Sequence, residues 1–342
     1  MAKRVTMQDI ADQLKISKNS VSQALSGKPG VSEETRKQVY QTADELGYRY
    51  TPKTPATSEN QAESGKIALI ASDLAFSLTS FFGEIYLSVE REVHKHNKTL
   101  LIQSVSQQAS DDLILPSFIE DKSVDGVLVL SHISNDYINK VIATGIPTVL
   151  IDHHHPTIQA DAILTNNRFG AYTAVQHLIE LGHKDIAFVG NIDFSPSYQE
   201  RLEGYQLALK DYGIKQKEEF IFSDAEEDDQ IINNYIAHLS EQPTAWFCVN
   251  DGLGYLVNSG LKLKDIQVPE QASVVSFDDG QLSRLSTPRI TTMGIDLPLF
   301  GKKALERLFW RMGNAEEPHE ETLLPANLIK RESTSYRPGA KR

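Results

Sequence analysis

Two groups of polar residues in this sequence have types and spacing suited to recognising another molecule. Lys18, Asn19 and Gln23 fall within one short segment, KNSVSQAL. Asn and Gln side chains can form paired hydrogen bonds with adenine, while Lys reaches guanine or a phosphate. Arg201 and Asp278 each come after an apolar run, and side chains of these types can pair the hydroxyl groups of a buried polyol. The first group predicts base reading, and the second predicts a site for a small hydroxylated molecule.

Motifs that mark catalytic or cofactor sites are absent from the sequence. It contains no Gly-x-Gly-x-x-Gly, no Gly-x-Ser-x-Gly and no phosphate-binding loop, and no nucleophile with a neighbouring base stands out. The single cysteine, Cys248, cannot form an intramolecular disulfide or a zinc site built on paired cysteines. We therefore expect a protein that is not an enzyme, with no cofactor and no metal site.

The charge of the chain is unevenly distributed. Residues 1–53 carry nine Lys and Arg against six Asp and Glu, which gives this segment a net charge of +3. The whole chain has a net charge of −12, so the remaining residues carry −15. A small basic head on an acidic body indicates that only the head meets nucleic acid. No apolar run approaches the length of about 18 residues that a membrane span needs, so we expect a cytoplasmic protein without a membrane partner.

Composition along the chain indicates three parts. Residues 1–50 are predicted to form an all-α helix-turn-helix head, residues 51–65 (TPKTPATSENQAESG) a polar linker, and residues 66–338 an α/β body. In the body, short apolar runs alternate with amphipathic segments, which is typical of βαβ units and parallel sheets. Its length exceeds one typical core, so two lobes are expected. The predicted strands are 66–71, 100–105, 126–130, 148–151, 162–165, 186–189, 220–222, 245–249 and 273–277.

Three capped helices are predicted in the head. Thr6, Ser17 and Ser32 each precede a helical pattern, and a tight connection joins the first helix to the second, residues 18–25. This is the pattern of a helix-turn-helix whose second helix lies in the major groove of DNA. The alternative is a three-helix bundle for protein contacts, in which the polar residues of the second helix are only solvated.

Many segments of the chain resemble the lactose-repressor (LacI/GalR) family. They are VTMQDIA, ISKNSVSQALSG, VSEETR and LGY in the head, and DGVLVL, GIPTVLID, LIELGHKDIAFVG, RLEGY, PTAWFCVND and SVVSFDD in the body. The likeness extends over roughly residues 5–329. It implies a transcriptional repressor that binds a double-stranded DNA operator as a homodimer. It also implies a periplasmic-binding-protein-like body whose two lobes close on a small-molecule effector.

By this resemblance, DNA contacts fall on the ends of the three helices and on the exposed face of the second. The residues are Thr6, Ser17, Lys18, Asn19, Ser20, Ser22, Gln23, Ser32, Thr35, Arg36 and Tyr48. The family commonly has Arg where this chain has Gln23, so different operator bases are expected. After LGY the family continues with Pro-Asn and a hinge helix that inserts a leucine into the minor groove. Here Arg49-Tyr50-Thr51-Pro52 follows, so such an insertion is not expected.

Residues that follow the predicted strands are candidates for the effector site, because ligands of open α/β sheets bind beyond the carboxyl ends of strands. The candidates are Ser77, Thr79, Phe81, Phe82, His154, Arg201, Asn250 and Asp278. By the resemblance, Arg201 contacts the effector, while Asn250 and Asp278 point into the cleft. A sugar or sugar derivative is the expected ligand. The alternative for any one of these polar residues is that it only caps a helix.

The segment Asp152-His153-His154-His155 follows the fourth predicted strand. A metal ion is disfavoured there, because adjacent side chains in an extended chain point to opposite faces. His154 or His155 either lines the cleft and hydrogen-bonds a ligand, or is solvated, or packs between the lobes. Residues 223–225 have no aromatic side chain, although family members often have one near this position.

Two readings of the whole chain compete. The first is a repressor controlled by a carbohydrate effector, and it is a dimer because the tail after Ser335 has no heptads for a coiled coil. The second is a cytoplasmic small-molecule binding protein or enzyme whose head serves as a helical interaction module.

Overall fold

The computed structural model describes residues 5–25, 31–46, 48, 64–77, 81–130, 133–337 and 339. The chain divides into two compact units, residues 1–63 and 64–342, and each has its own hydrophobic core. Of the predicted linker, only Ser64 and Gly65 are described, so its limits stay a prediction. Residues 49–52, where no hinge helix is expected, lie outside the described residues.

The described part of the first unit consists of three helices: α1 (Met7–Leu14), α2 (Lys18–Leu25) and α3 (Glu33–Glu45). Their buried apolar side chains are Ile10, Ala11, Val21, Ala24, Leu25, Val39 and Ala43. On α2 these side chains recur at the spacing of one helical face, so the opposite face is left polar. The predicted second helix, residues 18–25, is confirmed at both ends, and the all-α head is confirmed.

A carboxylate in α1 and serine hydroxyls in α2 and α3 hold the first turns of these helices. The Thr6 backbone N–H donates to Asp9 Oδ2 at 2.7 Å, Ser17 Oγ accepts from the Ser20 N–H at 2.9 Å, and Ser32 Oγ accepts from the Thr35 N–H at 3.2 Å. These bonds satisfy backbone donors that have no partner within the helix. The predicted caps are therefore in place.

Two six-stranded sheets form the second unit. The order of strands is β11-β5-β4-β3-β1-β2 in the first sheet and β12-β10-β9-β8-β6-β7 in the second. The strands are β1 (Lys66–Ser72), β2 (Thr99–Val105), β3 (Gly126–Leu130), β4 (Thr148–Ile151), β5 (Asp161–Thr165), β6 (Ile186–Val189), β7 (Ile221–Phe222), β8 (Ala245–Cys248), β9 (Ser273–Asp278), β10 (Thr291–Ile295), β11 (Glu321–Leu324) and β12 (Ala326–Ile329). Among the described residues, β12 is antiparallel to β10 and the other pairings are parallel.

Helices cover both faces of these sheets, which explains why the strands are continuous apolar runs. They are α4 (Asp73–Ser77), α5 (Phe82–Lys95), α6 (Gln107–Asp111), α7 (Ser117–Glu120), α8 (Asn135–Ala143), α9 (Asn167–Glu180), α10 (Pro196–Asp211), α11 (Asp229–His238), α12 (Asp251–Leu263), α13 (Gln281–Leu285) and α14 (Leu297–Gly313). Each sheet with its helices forms one lobe, and the two-lobed α/β body with parallel sheets is confirmed.

The chain passes between the two lobes three times. It crosses from β5 to α9, from β10 to α14, and from β11 to β12. Helix α14 packs in the core of the first lobe although it comes late in the sequence. Each lobe is therefore assembled from separate stretches of chain.

Strands β10, β11 and β12 were not predicted from the sequence, and the predicted strand 220–222 is one residue shorter in the structure. β10 has the sequence TTMGI, in which Thr291 and Thr292 are fully buried, so its apolar content is too low to read as a buried run. β11 and β12 are only partly buried. Of the predicted strand 220–222, Phe220 instead ends a 3₁₀ turn and only Ile221–Phe222 forms a strand.

Helices α9 and α10 approach closely at Gly204. A Cβ atom at this position would stand 2.1 Å from the Arg168 carbonyl oxygen and 2.8 Å from Ala171 Cβ. Only glycine leaves room for this contact, so the residue fixes the distance between the two helices and the place of Arg201 on α10.

We predict that Gly204→Ala destabilises the protein by about 1–3 kcal/mol, the usual cost of an overpacked core, or by more because the clash is with backbone. Gly313→Ala is the matched control, since a Cβ there meets nothing within 4 Å. It should leave the free energy of unfolding unchanged or slightly raised. Urea unfolding of both variants measures the difference, and equal stabilities would show that the close approach is not rigid.

Candidate functional site

The polar face of α2 is the first candidate site. Lys18 and Asn19 are exposed, and Ser20, Ser22 and Gln23 are partly exposed. These side chains carry the hydrogen-bonding groups that read base edges in the major groove. The predicted residues of this helix therefore lie together on the side opposite the core.

The C-terminal end of α2 is held by side chains from α3. Arg36 Nη1 donates to the Ala24 carbonyl oxygen at 2.9 Å and to that of Gln23 at 3.4 Å. The Tyr40 hydroxyl donates to the same Ala24 oxygen at 3.1 Å. A guanidinium group at a helix C-terminus also interacts favourably with the helix dipole. Arg36 thus fixes the direction of α2 in the head.

The other predicted DNA contacts are at helix starts and next to the core. Thr6, Ser17 and Ser32 are exposed and Thr35 is partly exposed, while Arg36 is 8% exposed. Tyr48 packs against the head core and its N–H donates to the Ala43 carbonyl at 2.8 Å. Burial makes Arg36 a support for α2 inside the head, whereas direct DNA contact by the predicted set stays a prediction.

A cavity of about 520 Å³ in the body is the second candidate site. The first lobe contributes Leu74, Phe81, Phe82 and Asp152, and residues of the second lobe line the rest. Of the eight predicted effector residues, five meet here: Phe81, Phe82, Arg201, Asn250 and Asp278. The side chain of Ser77 and the whole of Thr79 lie outside the described residues.

Arg201 is the most heavily bonded side chain of the cavity. It lies on α10, whose first turn is capped by Ser195. Its Nε donates to Asn167 Oδ1 at 2.9 Å, its Nη1 donates to the Val249 carbonyl, and its Nη2 lies 3.1 Å from Asp278 Oδ1. The guanidinium carbon is 3.8 Å from the centroid of the Phe277 ring. A buried guanidinium needs such a set of partners.

Asp278 is aimed at Arg201 by an unusual backbone. Its φ angle is 102° and that of Asp279 is 54°, in the left-handed region that Asp tolerates better than most residues. Asp251 holds this turn, since its carboxylate accepts hydrogen bonds from the Gly280 N–H and from the hydroxyls of Ser276 and Thr292. Asp251 therefore shapes the site from behind.

Asn250 connects two residues that the sequence analysis missed. It caps α12 by accepting from the Leu253 N–H at 2.9 Å. Its Nδ2 donates to the Tyr198 hydroxyl at 2.7 Å and to Glu227 Oε1 at 2.6 Å. Tyr198 could have been found, because it stands three residues before Arg201 on the same helical face. Glu227 lies in an irregular segment that gives no local signal.

Asp152 is a further cavity residue, directly after β4. It is buried, and Ser197 Oγ donates to its Oδ1 at 3.3 Å. Burial raises the pKa of Asp152 to about 7, Arg201 opposes this rise and Asp278 adds to it. Burial likewise raises the pKa of Asp251 to about 7, with a further contribution from Asp278. Asp152 directly follows a predicted strand, and this position in the sequence indicates that it can belong to the ligand site.

His154 is not among the described residues that line the cavity, and its contact with the ligand stays a prediction. Its Nε2 lies 3.2 Å from Glu200 Oε1 on α10, and its Nδ1 lies 3.4 Å from Glu321 Oε1 on β11. The hydrogen bond to Glu200 raises the pKa of His154, against the effect of burial. His154 therefore packs between the lobes, which was the alternative left open for it.

The neighbouring histidines have separate partners. His153 Nε2 is 2.9 Å from Asn135 Oδ1, and His155 Nδ1 is 2.7 Å from Thr157 Oγ1. Within the described ranges, no group of three or more His, Cys, Asp or Glu side chains is placed to hold a metal ion. The helices in those ranges also include none with the length and apolar character required to cross a bilayer.

Comparison with known proteins gives consistent matches. Residues 6–50 match the family described as bacterial regulatory proteins, lacI family, and residues 175–334 match the periplasmic binding protein-like domain. The NTD biosynthesis operon regulator NtdR of Bacillus subtilis (strain 168) is 30% identical over 334 residues, 96% of this chain and 99% of that protein. The ribose operon repressor of Haemophilus influenzae is 30% identical over 332 residues, 96% and 98% of the two chains.

A solved structure with the same architecture contains a sugar. It is a LacI family transcriptional regulator from Enterococcus faecium with bound ribose. Its sequence is 26% identical to this chain, and the TM-score is 0.67 over 79% of this chain and 99% of that one.

The two perturbed carboxyl groups predict a pH dependence of stability. The pKa of Asp152 in the folded protein is about 7, above the ordinary value near 3.9. The contribution of protonated Asp152 to the free energy of unfolding is therefore fully present below that ordinary value. This contribution is lost as pH rises from the ordinary value to about 7, by about 1.4 kcal/mol per pH unit, and the loss is complete above the folded pKa. We expect Asp152→Asn to reduce the loss of stability between pH 5 and pH 8 by about 1–3 kcal/mol. Unfolding curves across this range measure it, and the exposed Asp112→Asn should match the unmodified protein.

Proposed function

The chain belongs to the lacI family of bacterial regulatory proteins, and from this membership we propose that it is a repressor controlled by a sugar-like effector. As a member, it is a sequence-specific DNA-binding regulator of transcription. We propose that it binds its operator as a homodimer, and that a ligand in the cavity sets the affinity for that operator. Because it acts on the chromosome, we place it in the cytoplasm.

The observation that carries this proposal is the arrangement of α2. The helix is capped at its start by Ser17 and held at its end by Arg36 and Tyr40, while Lys18 and Asn19 face outward. A helix fixed at both ends presents its polar side chains in one orientation, as base reading requires. We assign base contacts to Lys18, Asn19 and Gln23, and supporting contacts to the remaining predicted residues of the head.

The effector assignment is supported by the chemistry of the cavity. Aromatic rings, a carboxylate, an amide and a guanidinium converge there, and a polyhydroxylated ligand needs partners for each of its buried hydroxyls. The related regulator from E. faecium holds ribose. We therefore assign effector contacts to Phe81, Phe82, Arg201, Asn250 and Asp278, together with Asp152 and Tyr198.

Control of DNA binding by the ligand is proposed to act through the two lobes. A ligand that touches Phe81 on one lobe and Arg201 on the other stabilises one relative position of the lobes. The start of the body is tied to the first lobe, since Asp125 Oδ2 accepts from the Gly65 N–H at 2.9 Å and Asp125 also accepts from the Ser64 N–H. Movement of the first lobe is therefore transmitted to the chain that leads to the head.

The homodimer proposal is supported by apolar side chains on one edge of the first lobe. β2 is the edge strand there, and it exposes 42% of Ile102. Helix α5 next to it exposes 44% of Leu87. An edge strand offers unpaired backbone groups to another chain, and exposed apolar patches mark interaction sites.

We propose that the protein is not an enzyme, because its family members are regulators and its cavity carboxylates have binding or supporting roles.

We predict that Asn19→Ala relaxes the base preference at one position of each operator half-site, at a cost of about 1–3 kcal/mol in specific binding. Selection of binding sites from a random oligonucleotide pool measures this. Gln38→Ala, an exposed change on α3, is the control and should leave the selected sequence unaltered. The same base preference in Asn19→Ala and in the unmodified protein would refute base reading by α2.

We predict that Asp278→Asn raises the sugar concentration needed for the DNA response at least tenfold, because it removes the charge that orients Arg201. Operator affinity without ligand should stay within about twofold. Fluorescence anisotropy of labelled operator, titrated with ribose and other monosaccharides, gives both quantities. Asp265→Asn is a matched control, since Asp265 also has a positive φ angle and is exposed. A full response in Asp278→Asn would contradict the assignment of the cavity.

A further inference from the structure

The lining of the cavity carries an excess of acidic groups. Among the described residues that line it, Asp152, Glu226, Glu227, Asp251 and Asp278 are acidic, whereas Arg201 alone is basic. Protein walls of low polarity strengthen the interactions of charges inside a cavity relative to charges in bulk water. The charge of the lining therefore bears on the charge of the ligand.

The charge of Arg201 is already paired with a carboxylate of the protein. Its three nitrogen atoms face Asn167, Val249 and Asp278, and its side chain is only 3% exposed. Asp278 Oδ1 lies 3.1 Å from Arg201 Nη2. The positive charge of Arg201 is therefore matched by Asp278, and the other acidic groups have no basic partner in the cavity.

Glu227 is the acidic group best placed to meet a ligand. It is exposed and lines the cavity, and Asn250 Nδ2 donates to its Oε1 at 2.6 Å. Its Oε2 occupies the space above Gly252 where any other residue would have a Cβ. Asn250 and Gly252 thus fix the carboxylate in position, and such a preorganised charge binds a counter-charge at low entropic cost.

Aromatic rings near this carboxylate complete the environment. Phe194 and Tyr198 are stacked with ring centroids 5.6 Å apart, and both line the cavity. A protonated amine is attracted both to carboxylates and to the faces of aromatic rings. A phosphate or a carboxylate on the ligand would meet neither a donor cation nor a favourable potential.

We propose that the effector carries a protonated amine which pairs with Glu227, so that the ligand is an amino sugar. This inference rests on the proposed function of the cavity as the effector site and adds the charge of the ligand to it. The hydroxyl groups of the sugar are bound by Arg201, Asn250 and Asp278, and its ring packs against the aromatic side chains.

Isothermal titration of the full chain tests this with matched sugars. Glucose, galactose and ribose are each compared with derivatives in which one hydroxyl is replaced by an amine, and with their phosphate esters. At least one amine should bind about tenfold to hundredfold more tightly than its parent, the ratio expected for one charged hydrogen bond. No phosphate ester should bind more tightly than its parent. Glu227→Gln should reduce the preference for the amine below threefold.

The control is Glu203→Gln, which removes a carboxylate on the exposed face of α10 that pairs with Arg168 and should keep the full preference for the amine. Parent sugars that bind as tightly as their amines would overturn this inference and leave the proposed sugar effector intact. A panel in which no sugar of any charge binds would overturn both. A preference for the amine that persists in Glu227→Gln would refute the assignment of Glu227.

Discussion

The buried ion pair between Arg201 and Asp278 is the interaction on which the ligand cavity depends. Placing a guanidinium and a carboxylate in a site of low polarity costs several kcal/mol per group unless each is fully paired. The surrounding elements meet this requirement: α9 supplies Asn167, the end of β8 leads to the Val249 carbonyl, and Phe277 lies against the guanidinium. The strained turn at Asp278 persists because Asp251 holds it. Polar ligand recognition is in this way built into the packing of the second lobe.

The same hydrogen-bonded network reaches from the cavity to the boundary between the lobes. Asn167 donates to Glu200 at 3.0 Å, and Glu200 faces His154 at 3.2 Å, which in turn faces Glu321. Glu321 and His154 belong to the first lobe, whereas Glu200 and Arg201 are on α10 of the second. A change at Arg201 is thus connected by direct contacts to groups that bridge the lobes. Such a chain of partners couples sites when it joins elements that can adopt two arrangements.

Much of this architecture could be predicted from the sequence, and the exceptions have physical reasons. Helix 18–25 and strands such as 126–130 and 148–151 were predicted at their observed limits, because caps and continuous apolar runs are local signals. β10 was missed because buried Thr291 and Thr292 read as polar although their hydroxyls have partners. Glu227 was missed because only the folded chain brings it to Asn250. His154 was predicted to contact the ligand because it follows a strand. Its proximity to Glu200 is seen only in the folded chain.

The three crossings between the lobes have a consequence for synthesis on the ribosome. The first lobe needs α14 and β11, which end near residue 324, so most of the chain must emerge before that lobe can close its core. The helices described in the head lie within the first 45 residues and can form as soon as they leave the exit tunnel. Until the last strands arrive, the nascent body exposes unpaired sheet edges for many seconds at ordinary elongation rates. Chaperone demand should therefore concentrate on the body, late in translation.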